Sequence, residues 1–215
     1  MVHVCNRWAR DHTDDLQFAF FNGAGFESWE NVWGIRTGIT PRDAEALRRI
    51  AKIERSFADL VISPDWRPYA PTLQFGVFAS RFPRTGAALW TVVNRAEHAV
   101  SGDQLRVAHA AGRRYFDLWH GVELKPRVAA DAAKLSFEIE PRGFGAVLAL
   151  DSGVQWPNLE AVLREIATGR SGRSAAIRAN GSSSCSRSWT SRPPSLPAAC
   201  RRAWSAFRQV NSTSM

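Results

Sequence analysis

Read along the chain, the apolar positions change their spacing twice, and each change marks a different kind of structure. The first fifteen residues are polar, with Arg7, Arg10, Asp11, Asp14 and Asp15. Leu16-Gln17-Phe18-Ala19-Phe20-Phe21 is then a short apolar run of the length and composition of a buried strand. Asn22-Gly23-Ala24-Gly25 breaks it. A helix is predicted further on, with Thr40 as N-cap, Pro41 in the first position and Asp43 in the first turn. Its apolar residues Leu47, Ile50, Ile53, Phe57 and Leu60 step by three and four and so form one buried stripe, and Ser63-Pro64 ends it.

From Leu73 the spacing becomes that of strands. The pattern predicts them at Leu73–Ser80, Ala88–Asn94, Gln104–His109, Arg114–Trp119, Val122–Pro126, Leu135–Glu140 and Phe144–Leu150. Leu135, Phe137 and Ile139 alternate with Ser136, Glu138 and Glu140, as in a half-buried antiparallel strand. Leu89-Trp90-Thr91-Val92-Val93 is apolar on both faces, which places it at the centre of a sheet. His120-Gly121 sits between two strands at hairpin spacing. Short strands with turns every 8–12 residues or so make an antiparallel sandwich. A short helix, Pro157–Ile166, closes the folded part.

One βα unit followed by a sandwich is an incomplete arrangement, because a parallel strand needs neighbours on both sides. The expected fold is therefore mainly β: an antiparallel β-sandwich preceded by a βα remnant of a TIM barrel and followed by a disordered tail. The expected division is 1–68 for the βα remnant, 69–152 for the sandwich, 153–168 for the short helix and 169–215 for the tail.

Charge changes the picture only at the C-terminus. The chain has 28 Lys+Arg and 20 Asp+Glu. Residues 169–215 hold eight of those bases, all arginine, and none of the acids, so residues 1–168 carry 20 of each. Twelve of the 47 tail residues are serine, and no apolar period persists there. Three readings stand: a native basic tail that captures nucleic acid electrostatically, a structured terminal element, and a GC-rich gene read out of frame after Thr168. The last fits the composition best, so a nucleic-acid partner is not expected. Cys185 and Cys200 then carry no meaning, and Cys5 alone makes neither a disulfide framework nor a metal site. No apolar run reaches the length of a membrane span, and no signal peptide is recognised; no membrane partner is expected, and the location is cytoplasmic by default.

In a barrel of βα units the active site lies beyond the C-terminal ends of the strands. Here that position falls on the segment from Asn22 to Gly34, which offers Glu27, Glu30, Asn22, Asn31, Trp29 and Trp33. Flat apolar rings suit the C–H faces of pyranoses, while carboxylates and amides suit hydroxyls. Glycoside hydrolysis uses two carboxyls, and Glu27 and Glu30 would share a face if the stretch were helical. Two catalytic carboxyls usually come from different strands, so at most one of this pair is expected to be catalytic; Asn22, Trp29, Asn31 and Trp33 are the candidate substrate-binding residues. The plainer reading leaves both carboxylates on a polar loop and both tryptophans in the core. No metal site and no cofactor are expected.

Phe21-Asn22-Gly23 through Trp33-Gly34, followed by Ile39-Thr40-Pro41-Arg42-Asp43, resembles the end of the barrel in bacterial glycoside-hydrolase-like proteins. Trp90-Thr91-Val92-Val93-Asn94-Arg95, Tyr115 through Gly121 and Gly143 through Leu148 resemble the sandwich that follows such barrels. Asp117-Leu118-Trp119-His120-Gly121 is similar to the equivalent strand pair of α-galactosidase- and fucosidase-like enzymes. The nearest likeness is to multidomain proteins in which this pair precedes a formylglycine-generating-enzyme, or sulfatase-modifying-factor, domain. The resemblance covers about residues 1–166 and implies a carbohydrate partner for the intact parent. Most of the catalytic barrel is missing, so no activity is expected of the chain alone. Arg36 stands where an aromatic residue would be expected.

The alternative is a non-catalytic module that binds carbohydrate through exposed Trp90 and Trp119, or only supports a barrel. The surfaces of Phe18–Phe21 and of the Leu47/Ile50/Phe57 stripe, left without barrel partners, are candidates for self-association. His109 reads as a packed or edge histidine. Asp117, His120 and Glu123 read as a solvated turn, and Arg48 and Arg49 as charges on a solvated face.

Overall fold

The computed structural model describes residues 3–6, 11–28 and 39–168. Its elements in chain order are β1 (His3–Asn6), α1 (Thr13–Asn22), β2 (Gly25–Ser28), α2 (Pro41–Ser56), α3 (Ala58–Val61), β3 (Arg67–Ala70), β4 (Val77–Arg84), β5 (Ala87–Asn94), β6 (Asp103–Ala108), β7 (Arg114–Asp117), β8 (Val122–Leu124), β9 (Arg127–Ala129), β10 (Ala132–Ser136) and β11 (Phe144–Leu150), followed by a helix, α4, over 159–168. The strands form a parallel pair β1-β2, an antiparallel sheet ordered β3-β4-β5-β11-β7-β8, and a smaller antiparallel sheet ordered β6-β10-β9. The protein is mainly β, as the strand spacing predicts. The tail at 169–215 lies outside the described residues.

The six-stranded sheet is covered on both faces. Along β5, Ala87, Leu89 and Val93 pack with the helices, while Ala88, Trp90 and Val92 pack with the three-stranded sheet. β11 divides in the same way, with Phe144, Ala146, Leu148 and Leu150 toward the helices and Val147 and Ala149 toward the other sheet. Every residue of both strands is buried. Two-sided burial is why 87–94 reads as an unbroken apolar run, and β5 does lie inside the sheet.

The run Leu16–Phe21 corrects the expectation of a strand, since it forms α1. A short apolar run suits a buried helix as well as a buried strand, and only its surroundings decide. Leu16 and Phe20, four apart, point into the core with Ala19, while Phe18 points out. Gly23 ends the helix in the left-handed conformation, with its own N–H turned back to the Phe20 carbonyl and the Ala24 N–H to the Ala19 carbonyl. A Cβ at Gly23 would meet the Val61 side chain at 2.8 Å, so glycine is needed there for space as well as for backbone. The chain then turns into β2, which pairs in parallel with β1, Cys5 opposite Glu27. Among the described residues up to Val61 the elements run β-α-β-α-α, two strands and three helices, where the sequence pattern shows one strand at 16–21 and one helix.

The predicted α2 is present in detail. Thr40 is the N-cap, its hydroxyl accepting from the Asp43 amide, and Pro41 occupies the first turn. Ile50, Ile53, Phe57 and Leu60 are buried against the six-stranded sheet. Of the Leu47/Ile50/Phe57 surface, Ile50 and Phe57 are covered by the sandwich and Leu47 is half-buried, and each fully buried side chain contributes about 1.5–3 kcal/mol by leaving water. The strand predicted at Leu73–Ser80 is found at Val77–Arg84, and that at Leu135–Glu140 at Ala132–Ser136. In the latter the apolar alternation holds, but a register shift after Leu135 hands the pairing to the segment around Val100, which bridges Ile139. β3 and β9 have no counterpart in the sequence pattern, because they are almost wholly exposed and have no buried face to create one.

Candidate functional site

The C-terminal ends of β1 and β2 are where a barrel would place its chemistry. Asp43 organises that end. One carboxylate oxygen accepts from the Thr13 hydroxyl at 2.7 Å; the other accepts from the His12 amide at 3.0 Å and the Thr40 hydroxyl at 2.7 Å. A single buried carboxylate thereby ties the starts of α1 and α2 together.

Glu27 stands on β2, one residue before its end, with its side chain exposed. It belongs to a strand, so the helical spacing that would put Glu27 and Glu30 on one face does not reach back to it. Glu30, Trp29, Asn31 and Trp33, and Arg36 with them, lie outside the described residues, although Trp29 directly follows the last residue of β2. Asn22 is the last residue of α1, before β2 begins, and its amide donates to the Phe18 carbonyl at 2.8 Å. Asn22 thus precedes β2, whereas Glu27 stands near the far end of that strand.

A second polar constellation escaped the sequence reading. Asp117 and His120, expected on a solvated turn, are buried, and so is Arg49. One Asp117 oxygen accepts from the backbone N–H groups of Trp119 and His120 at 2.9 and 3.0 Å, and the other lies 2.6 Å from His120 Nδ1. His120 Nε2 faces Glu140 at 3.9 Å. Burial alone would push the imidazole down, but its hydrogen bond to Asp117 and the nearby negative charges of Asp117 and Glu140 outweigh that and raise it to about 9. Burial likewise works to raise Glu140, and the His120 contact with the Arg49 charge lowers it instead. Arg49 donates to Glu45 at 2.9 Å and to the Trp119 carbonyl at 2.9 Å, with its guanidinium 5.4 Å from the Trp119 ring.

Arg49 of α2 holds the Trp119 carbonyl beside Asp117 and His120, so this cluster joins α2 to the β7–β8 turn. Glu123 does not join it; exposed, it forms a bidentate pair with Arg114 at 2.9 Å. Gly121 is needed beside it. Its φ is 73°, and a Cβ there would lie 2.3 Å from the Leu163 carbonyl of α4. The only sequence signal for the junction was the approach of Arg49 to the apolar stripe, one residue from Ile50.

Glu54 lines a cleft of about 270 Å³ with Phe26, Leu47, Ile50 and Val61. Its Oε1 is buried without a hydrogen bond, and burial raises the carboxyl to about 7. His109 behaves as expected, stacked on Tyr115 with Nδ1 3.0 Å from the phenolic oxygen. Trp90 and Trp119 are both buried, which removes them as platforms for a bound glycan. Among the described residues no group of three or more His, Cys, Asp and Glu side chains is arranged for a metal ion, and no helix is long and apolar enough to cross a membrane.

No family model matches the chain, and no curated protein matches it. Among solved structures it is similar to an alpha-amylase from Anoxybacillus, with 9% identity over 66% of this chain and 33% of that one, TM-score 0.45. It is also similar to a glycoside hydrolase family 30 subfamily 8 xylanase from Clostridium acetobutylicum, at 10% identity over 70% and 42% of the two chains, TM-score 0.41. A putative alpha-N-acetylgalactosaminidase from Bacillus halodurans gives 12% identity over 64% and 31%, TM-score 0.41. The chain spans between 31% and 42% of the length of these three structures.

Proposed function

We propose that this chain is the terminal part of a glycoside-hydrolase-like protein: the end of a barrel over 1–68, the sandwich over 69–152 and a closing helix over 153–168. The observation that carries the reading is the β1-α1-β2-α2 order with a parallel β1-β2 pair. Among the described residues neither strand has a further neighbour, whereas a parallel sheet is stable when extended and covered. The helices attached to this pair are covered by the sandwich, as they would be in a barrel with a fused C-terminal domain.

In the parent, Glu27 or Glu30, and at most one of them, serves catalysis. Trp29, Asn31 and Trp33 follow β2 in the chain and contact sugar; Asn22, whose amide is engaged by the Phe18 carbonyl, is the weakest member of the set. Hydrolysis needs carboxyls on other strands, so the chain alone does not cleave glycosides. Aryl glycosides incubated with the purified chain are expected to stay intact. Turnover that is lost in Glu30→Gln or Glu27→Gln would overturn this. The open edges of β1 and β2 also favour self-association, which sedimentation across a concentration series detects. The tail is read as out of frame, and the parent as carrying a sulfatase-modifying-factor-like domain beyond it. Translating the other two frames after codon 168 tests both, and stop codons in each would sink them.

A further inference from the structure

A cleft of about 320 Å³ opens between α1 and the β3–β4–β5 edge of the large sheet. Three aromatic side chains converge on it while exposed: Phe18 at 64%, Tyr69 at 73% and Phe78 at 41%. Single exposed aromatics are ordinary, but three lining one concavity are not. Their planes differ. Tyr69 lies 5.2 Å from Phe21 and 6.4 Å from Phe78, and it meets Phe78 at 86°. The cleft therefore has both a floor and a wall of aromatic surface.

Tyr69 holds this position at a cost. Its φ is 55°, in the left-handed region that side chains other than glycine's rarely adopt, and the β3–β4 register is irregular around it. Such strain is tolerated where surrounding structure imposes it, and it concentrates at functional positions.

The polar side of the cleft is built and rigid. Gln17, itself 2% exposed, donates to the Asn94 and Gly143 carbonyls at 2.9 and 3.0 Å. Its oxygen accepts from Arg95 at 2.7 Å, and Arg95 also donates to Asp14 at 2.6 Å. Arg142 donates to the same Asp14 oxygen and to Glu97. The two guanidiniums and two carboxylates balance, so the rim attracts neither a cation nor an anion. It offers a fixed acceptor in Asp14 beside a fixed donor in Arg95. A hydroxyl, which donates and accepts at once, satisfies both.

Aromatic surface for C–H faces, a neutral rim for hydroxyls and a volume at the low end for ligand pockets point to one ligand class. We propose that this cleft binds a neutral pyranose, as a monosaccharide or the end of a short oligosaccharide, stacked on Tyr69 and Phe78 with its hydroxyls at Asp14 and Arg95. Glu27 is not among the residues that line the cleft, and binding there is tested without any catalytic turnover.

The test is calorimetric titration of the full chain with maltotriose, cellotriose and xylotriose, with tetramethylammonium and galacturonate as charged controls. At least one neutral sugar is expected to saturate. Tyr69→Gly is expected to weaken it about tenfold, as loss of one stacked ring does, without lowering Tm, because glycine relieves the left-handed φ. Phe78→Ser is a second variant on an independent strand and is expected to weaken binding similarly. Absence of saturable binding by all three sugars at millimolar concentration overturns the proposal. So does sugar binding that neither variant disturbs, or binding of a charged control alone. Each result is read without any catalytic assay, so failure here and failure of the glycosidase reading are distinguishable.

Discussion

The two cores on either side of the six-stranded sheet are built from different materials. Between the sheets the contact is made by Val77, Val92, Leu105, Leu135, Ile139 and Val147 and their apolar neighbours. Where α2 meets the β7–β8 turn, a comparable apolar cluster is joined by the buried charges of Glu45, Arg49, Asp117 and His120. Apolar contact is tolerant of pH and of partner geometry. Buried ions are stable only as a complete set, because removing one strands the others in a low-dielectric interior. The sandwich interior should therefore behave as a fixed platform, and the helix junction as the conditional part of the molecule.

The sharpest way to break that contrast is Arg49→Met. It leaves the Trp119 carbonyl buried without the Arg49 donor and takes from Glu45 one of its two arginine partners, Arg48 remaining, and a loss of about 3 kcal/mol is expected in urea unfolding. A loss under about 1 kcal/mol would mean the junction is not held by charge. Leu135→Ala, on the other core, should cost about 3 kcal/mol through its cavity. That cost should stay constant with pH, which denaturation at several pH values checks.

The junction should also titrate. His120 is raised from 6.5 to about 9, so the native state holds a proton that the unfolded chain releases between those values. The stabilisation is complete below about pH 6.5 and is lost as pH rises through about 9, on the order of 2 kcal/mol. His120→Asn should flatten the stability profile in that window; an unchanged profile would remove the imidazolium from the account.

Glu54→Gln is expected to act in the opposite direction. The carboxyl is raised from 4.5 to about 7, so its ionisation penalises the native state increasingly as pH rises through that range. The amide should stabilise the protein by an amount like that at His120, on the order of 2 kcal/mol, above about pH 7 and have little effect below about pH 4.5, as thermal melts would show. The smallest effect is expected from Glu123→Gln, which breaks an exposed pair with Arg114. It should cost at most about 0.5 kcal/mol and less at high salt; a cost as large as that of Arg49→Met would erase the distinction between surface and junction.

Much of the fold was legible because it depends on local pattern. Thr40, Pro41 and Asp43 announce the start of α2 whatever lies around them, and the stripe Ile50–Ile53–Phe57 announces its buried face. The candidate site was less legible. Residue type alone makes Glu27 a candidate in a sugar-like segment, but its place on a strand and the placement of Asn22 before β2 depend on whether 16–21 is strand or helix. The aromatic cleft left almost no trace, since Phe18, Tyr69 and Phe78 come from three separate elements.

What the sequence determined by itself is which positions are apolar and at what period: the central place of 87–94, the hairpin at 117–122 and the capped helix at 41–56. What only the tertiary structure decided is what lies against each face. The run 16–21 became a helix because the large sheet, more than sixty residues away in the chain, accepts its Leu16 and Phe20. Arg49 and His120 became buried because their partners lie 70 and 20 residues distant, at the Trp119 carbonyl and Glu140. Period encodes a face; burial requires a partner, and a partner distant in sequence leaves no mark on local pattern.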